Sequence, residues 1–319
     1  MRLLVTGAHG MLGRAVAAAA RDRGHDVRAL GRAELDVVDA DAVAATVAAA
    51  GPEAVVNCAA WTDVDGAESE PEAALAVNGD GAGNVARAAA EAGAVMVHVS
   101  TDYVFSGAGR AEGGNAGASA RPYVESDPTG PRSAYGRSKL AGEHQIMSAW
   151  PGHIIVRSSW LFGSGGRNFV DTMLGLGAHR EEVLVVDDQV GCPTWTGHLA
   201  PALLELSERG AGGGARAGGE GRTGRDGRRP DGGRASGIYH VAGTGSCSWN
   251  ELAREVFEQA GLPCRVLPTS TAATARPAPR PAYSVLASER TDAPRLPSWP
   301  EGVRAYLAER HALSGGVAR

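Results

Sequence analysis

Arg2-Leu3-Leu4-Val5-Thr6-Gly7-Ala8-His9-Gly10-Met11-Leu12-Gly13 is the stretch on which the fold turns. Residues 2–6 read as a short strand, and the alanine-rich run over 12–23 reads as a helix. Between them three glycines recur at every third position. Glycine lets a backbone turn sharply and approach a pyrophosphate, and the helix that follows aims its first N–H groups at the negative charge. The spacing is G-x-x-G-x-x-G rather than G-x-G-x-x-G. Its force comes from its place after a first strand and before a helix. His9, inside this turn, reads as a loop-surface residue.

Working outward, the pattern repeats. Strand-like runs over 26–30, 54–57, 95–100 and 153–158 alternate with helical runs over 41–50 and 81–92. Such alternation implies parallel crossovers and an α/β, doubly wound parallel sheet. In these sheets ligands bind outside the carboxyl ends of the strands, so residues just after each strand carry the chemistry. After the second strand stands Arg32, with Arg28 nearby, where a site for NAD often places a carboxylate. A guanidinium suits the 2′-phosphate of NADP. Asp36 follows, placed to accept from an adenine amino group. After the third strand, Asn57-Cys58-Ala59-Ala60 supplies small residues. They suit a flat adenosine or ribose and equally suit tight helix–sheet packing.

The fourth strand ends in Thr101, whose hydroxyl can donate to a carbonyl oxygen becoming an alkoxide. Thr101 taken alone reads equally as a packing residue. The next crossover holds Tyr135 and, four residues on, Lys139, the only lysine in the chain. On a helix these two share a face. An ammonium beside a phenol lowers the phenol pKa, which makes Tyr135 a candidate general acid. Lysine and arginine are not interchangeable where a compact, rotatable ammonium is needed, and every other basic residue here is arginine. Thr101, Tyr135 and Lys139 together form a hydride-transfer constellation.

Composition excludes several classes. The 319 residues carry a formal net charge of −5, far from the basic footprint of a nucleic-acid binder. Cys58, Cys192, Cys247 and Cys264 are scattered and form no C-x-x-C pair, so neither a zinc site nor a disulfide framework is signalled. No apolar run is long enough to span a bilayer, and no charged lead, apolar core and cleavage site opens the sequence. The expectation is a soluble cytoplasmic protein.

Beyond Trp160 the regular alternation stops. Residues 182–187 and 237–241 read as strands, and 196–208 reads as a helix. Ser248-Trp249-Asn250-Glu251 fits a capping box, with Gly261 ending its helix. Residues 269–281, rich in proline and alanine, read as a loop over a cleft, and a helix near 302–311 follows. Residues 210–237 hold many glycines and six arginines, which predicts a flexible, solvated loop. The expected division is a dinucleotide-binding domain over 1–160 and a smaller mixed α/β substrate-binding part over 161–319, with the cleft between them.

These segments resemble an extended short-chain dehydrogenase/reductase and, more narrowly, the dTDP-4-dehydrorhamnose reductase family. The resemblance rests on Val5 through Gly13, Asn57-Cys58-Ala59-Ala60-Trp61-Thr62, Val64-Asp65-Gly66-Ala67-Glu68-Ser69-Glu70-Pro71-Glu72 and Ser100-Thr101-Asp102-Tyr103-Val104-Phe105. It continues through Tyr135-Gly136-Arg137-Ser138-Lys139, Arg157-Ser158-Ser159-Trp160, Asn168-Phe169, Asp188-Gln189-Val190-Gly191-Cys192-Pro193-Thr194 and Arg280-Pro281. The Asp-Gln and Ala-Glu-Ser-Glu-Pro-Glu segments are more specific than the tyrosine–lysine pair.

The resemblance implies a Rossmann-like sheet and NADPH-dependent reduction, NADH being the second choice, of the C4 keto group of a dTDP-linked 4-keto sugar. It makes Thr101, Tyr135 and Lys139 catalytic, with Lys139 also holding the nicotinamide ribose. Cofactor contacts fall on Gly7, Gly10, Met11, Leu12, Gly13, Arg32, Asp36, Val37, Cys58, Ala59, Ala60, Tyr135 and Lys139. Substrate contacts fall on Thr62, Val64, Asp65, Thr101, Tyr103, Trp160, Asn168 and Arg280, with Arg280 clamping the diphosphate and Arg276 its rival. Relatives that dimerise through magnesium carry a glutamate where this chain has Ala15, so no metal is carried over. Partners are expected to be the sugar nucleotide alone, without nucleic acid or membrane, in a monomer or homodimer.

The first reading is dTDP-4-dehydro-L-rhamnose to dTDP-L-rhamnose. The alternatives are a 4-keto sugar reductase of a secondary-metabolite route, such as one forming dTDP-dihydrostreptose, an epimerase or dehydratase, and a non-catalytic nucleotide-binding regulatory subunit. Dehydratases typically show Thr-Asp-Glu where this chain has Thr101-Asp102-Tyr103. Regulatory relatives relax an active site that this chain keeps.

Overall fold

A computed structural model of the chain describes residues 1–108, 110–111, 120–212 and 235–315. It opens with β1 (Arg2–Thr6), α1 (Met11–Asp22), β2 (Asp26–Leu30), α2 (Ala40–Ala50) and β3 (Ala54–Asn57). The next helix, α3 (71–91), runs unbroken through Pro71–Leu75, a π-helical turn Ala76–Gly81 and Ala82–Glu91. It is longer than the 81–92 expected from sequence. Then come β4 (Val95–Thr101), α4 (Ala134–Ala149) and β5 (His153–Ser158). The rest of the chain supplies α5 (Phe169–Gly177), β6 (Glu182–Val186), α6 (Thr196–Gly212), β7 (Gly237–His240), α7 (Trp249–Ala260), β8 (Arg265–Thr269) and α8 (Trp299–Gly315).

Six strands form one all-parallel sheet in the order β2-β1-β3-β4-β5-β7. Side chains alternate between its faces, as the two-residue strand period requires. Leu3, Val5, Ile154 and Val156 pack with Val16 of α1 and Leu199 and Leu203 of α6. Leu4, Val55 and Ile155 face the other way, toward Val43 and Val47 of α2, Val85 of α3 and Ile146 of α4. Both faces are covered over the centre of the sheet, which is why β1 and β3 are largely apolar, while the edge strand β2 keeps Asp26 and Arg28 exposed. Each such buried side chain contributes about 1.5–3 kcal/mol relative to exposure. The order reverses between β1 and β3, so a crevice opens there at the carboxyl ends.

A second core joins β6 and β8, a parallel pair, to α5, α7 and α8 through Val183, Val185, Met173, Val256, Phe257 and Tyr306. The expected capping box is present. Ser248 Oγ accepts from Glu251 N at 3.1 Å, and Glu251 Oε2 accepts from Ser248 N at 2.7 Å. Gly261 ends α7 in the left-handed region at φ 65°.

Two boundaries differ from expectation. The sheet does not end at residue 160: β7 completes it beside β5, and α6 covers one face. The chain leaves the sheet to build the smaller lobe and returns, because the edge of β5 and the apolar face next to it need cover. The flexible loop expected over 210–237 also differs at both ends. Residues 210–212 close α6 and Gly237 opens β7, while 213–234 lie outside the described residues. Among the described residues no helix is long and apolar enough to cross a membrane.

Candidate active site

The turn after β1 is shaped by two close approaches. Gly7 sits at φ 63°, and a Cβ there would lie 2.5 Å from Ala59 N. A Cβ on Gly13 would lie 2.3 Å from Gly7 O. Only glycine lets the turn fold back on α1 and press against the loop after β3. No side chain caps the N-terminus of α1, whose N-cap is Gly10. Its first N–H groups face a cleft of about 1020 Å³ that runs along the carboxyl edge of the sheet.

The cleft brings together most of the expected site. Gly7, Gly10, Met11, Leu12 and Gly13 form one wall, with Arg32, Asp36 and Val37 at the end of β2. Arg32 is largely exposed and stands 3.7 Å from the Asp36 carboxylate. Cys58, Ala59 and Ala60 line the crevice between β1 and β3, and Thr62 and Val64 continue along their loop. Thr101, Tyr103, Tyr135, Lys139 and Trp160 complete it. His9 lies at the cleft mouth, exposed, 3.9 Å from Glu34.

Local structure explains how the central three are held. Thr101 is the last residue of β4 and caps the short turn Asp102–Val104, accepting from Tyr103 N at 3.2 Å. It donates to Asp102 Oδ1 at 3.0 Å. Ser133 caps α4 by accepting from Gly136 N at 3.0 Å, which places Tyr135 in the first helical turn and Lys139 one turn on. Lys139 is almost fully buried. Its Nζ donates to Val99 O at 2.7 Å and lies 3.2 Å from His98 Nε2.

This geometry corrects the expected tuning of Tyr135. The two side chains share a helix face, yet the ammonium is turned inward to the Val99 carbonyl and His98. Burial raises the Tyr135 pKa above the ordinary phenol value, opposed by the Thr101 hydroxyl, and the Asp102 charge adds to the rise. Lys139 is itself pushed down to about 8, chiefly by burial, against the pull of Glu143. Asp102 is raised to about 6 by burial, although hydrogen bonds from Ser284, Thr101 and Ser159 favour its charged form.

Three expected contacts do not line the cleft. The Asn168 side chain caps α5, accepting from Asp171 N at 2.9 Å and donating to Gly163 O at 3.0 Å. It is occupied with local backbone. Asp65 and Arg280 are paired with each other at 2.8 Å beside the cleft. Arg276 reaches the cleft and stands 3.6 Å from Asp65. Among the described residues Arg280 Nη1 is buried without a hydrogen-bond partner. Ala278 N also donates to Asp65 Oδ1 at 3.2 Å, so the loop over 270–281 is laced to the loop after β3.

Comparison with known proteins follows the same lines. The model of the RmlD substrate binding domain family matches residues 1–312. The chain belongs to that family. It is 48% identical to a dTDP-4-dehydrorhamnose reductase of Streptomyces griseus, over all of this chain and 96% of that protein. It is 41% identical to a probable dTDP-4,6-dihydroxy-2-methyloxan-3-one 4-ketoreductase of Streptomyces antibioticus, over 91% of this chain and 88% of the relative. The crystal structure of dTDP-4-dehydrorhamnose reductase from Bacillus anthracis in complex with NADP is similar at TM-score 0.84 and 35% identity. That match covers 97% of this chain and 99% of the other.

Within this family fold, several supporting residues escaped sequence reasoning. Asn78 sits in the π-helical turn, fully buried. Its Nδ2 donates to Trp61 O at 3.1 Å and Ser138 Oγ at 2.9 Å, and its Oδ1 accepts from Trp61 N at 2.9 Å. It ties the loop after β3 to α4, and extra-wide helical turns often serve such a role. Trp249 stacks on Trp160 at 3.6 Å, closing the far end of the cleft. Trp160 holds φ 48°, the only positive value among non-glycine described residues. Glu143 and Arg157 form a buried pair at 2.6 Å behind Lys139. A histidine flanked by valines, such as His98 within Val95–Val99, was the available signal.

Proposed function

We propose that the chain reduces the C4 keto group of a dTDP-linked 4-keto-6-deoxyhexose, converting dTDP-4-dehydro-L-rhamnose to dTDP-L-rhamnose with NADPH. The observation that carries this reading is one cleft in which the glycine turn after β1 faces Thr101, Tyr135 and Lys139. The turn fits a dinucleotide: its glycines fill no space that a diphosphate needs, and the uncapped start of α1 offers N–H donors.

NADPH, when bound, supplies hydride to C4 of the sugar. Tyr135 gives its proton to the C4 oxygen. A phenol carries its proton at neutral pH, so Tyr135 stands ready as the acid. Thr101 orients the same oxygen by hydrogen bonding. Lys139 holds the ribose next to the nicotinamide. Arg32 meets the 2′-phosphate at the open end of the cleft, and Asp36 the adenine edge. Thr62, Val64, Tyr103 and Trp160 shape the sugar pocket. Arg276 and Arg280 answer the diphosphate from the loop above, Arg280 through its unpartnered Nη1. The dinucleotide half is residues 1–160 together with α6 and β7, and the remainder forms the substrate half.

The relative in Streptomyces antibioticus favours a second reading, a 4-ketoreductase acting on another dTDP-linked sugar. Purified protein incubated with NADPH and a panel of dTDP-4-keto sugars tests both. Stoichiometric loss of NADPH absorbance with dTDP-4-dehydro-L-rhamnose supports the first. Turnover confined to another sugar of the panel supports the second, and no oxidation with any of them refutes both.

A further inference from the structure

Lys139 is surrounded by groups that differ in what they offer a cation. From its own helix comes Glu143, held by Arg157 of β5. Cys58, from the loop after β3, is pushed up to about 12 by burial and stays a neutral thiol. From β4 come the Val99 carbonyl and His98.

The state of His98 follows from hydrogen-bond direction. Asn57 Oδ1 accepts from Thr6 Oγ1 at 2.6 Å and from Ala59 N at 3.1 Å. A backbone N–H only donates, so the amide oxygen belongs on that side and Asn57 Nδ2 faces His98 Nδ1 at 3.1 Å. Nδ2 also only donates, so His98 Nδ1 carries its lone pair there. A neutral imidazole then bears its hydrogen on Nε2, aimed at Lys139 Nζ 3.2 Å away. An imidazolium would clash with Asn57 instead, and burial holds His98 well below the ordinary histidine value, helped by Lys139.

An ammonium has three donors and no acceptor. Charged Lys139 therefore meets the His98 N–H donor to donor, whereas the neutral amine accepts from it. Thr6, Asn57, His98 and Lys139 are satisfied at every link only when the lysine has released its proton.

We propose that His98 is a positioning residue that sets the proton state of Lys139, with Thr6 and Asn57 locking the imidazole so that an N–H, not a lone pair, faces the amine. The inference deepens the ketoreductase reading of this site, but its readout is independent of turnover. Because Lys139 is the only lysine, incorporation of lysine labelled with carbon-13 at Cε yields one signal whose shift follows protonation directly. The wild-type signal is expected to titrate near pH 8. His98→Asn keeps an oxygen opposite Asn57 and removes the donor facing Nζ. His98→Gln places a carboxamide oxygen where Nε2 stood. In each, the midpoint is expected to rise by about one unit or more, a tenfold change in proton affinity. Either folded variant alone decides the matter, and an unchanged midpoint overturns the proposal by leaving burial as the whole cause. Absence of ketoreductase turnover in the wild type would sink the functional reading while leaving this titration to be judged separately.

Discussion

Glu143→Gln perturbs the most deeply buried charge pair behind the cleft. Glu143 has no exposed surface and Arg157 is 3% exposed. The carboxylate accepts from Arg157 Nε at 2.9 Å, from Arg157 Nη2 at 2.6 Å and from Ser100 Oγ at 2.6 Å. Glutamine keeps the shape and one oxygen, but sets an NH2 group against the guanidinium. The cation is then left with the Phe105 ring, 5.1 Å away, and a long contact to His240 at 3.5 Å. Breaking one side of a buried pair costs about 3–5 kcal/mol, because an uncompensated charge remains. With an unfolding entropy of about 2.1 cal/mol/K per residue over 319 residues, that is a fall of about 5–7 °C in Tm. Thermal and urea denaturation of the wild type, Glu143→Gln, Arg157→Met and the Glu143→Met/Arg157→Met double variant form the assay. The double variant is expected to recover more than half of the single losses, since it removes the stranded charge. A Glu143→Gln protein melting within 1 °C of the wild type, or a double variant worse than either single, refutes the reasoning.

Tyr135→Phe is expected to lower kcat by about 10²–10⁴-fold with an unchanged Tm, read by NADPH oxidation; near-normal turnover would remove Tyr135 as the acid. Arg32→Asp is expected to weaken NADPH more than NADH, and an unchanged ratio of the two kcat/KM values would dismiss Arg32 as the 2′-phosphate partner. Asp102 has a folded pKa raised to about 6 from 3.8, so its contribution to stability is full below about pH 4 and lost as pH rises through 6. Between pH 5 and pH 7.5 the wild type should therefore lose about 1 kcal/mol relative to Asp102→Asn in urea denaturation. A difference that stays flat with pH would show that Asp102 titrates at its ordinary value.

Much of the sheet was legible because its signals are local. Five strands of the parallel sheet announce themselves as short strand-like runs between helical stretches, and the glycine turn after β1 is a requirement of backbone geometry that only residue type can meet. The capping box at Ser248 and Glu251 is equally local, four consecutive residues satisfying each other's backbone groups. Most of the cleft followed, since the carboxyl ends of the strands carry the loops that line it. The partners of Asn168, which caps its own helix, and of Arg280, which pairs with Asp65, were not legible, because a motif names residues without saying which partner claims them.

What the amino-acid order determined by itself was therefore the α/β class, the position of the dinucleotide turn and the helix that bears Tyr135 and Lys139. Tertiary structure alone decided where the Lys139 ammonium points, which carboxylate answers Arg280 and how β7 returns to finish the sheet. The physical reason is separation: hydrogen-bond direction and burial join Thr6 to Asn57, Asn57 to His98 and His98 to Lys139 across four elements, and no periodicity along the chain records a contact made through space.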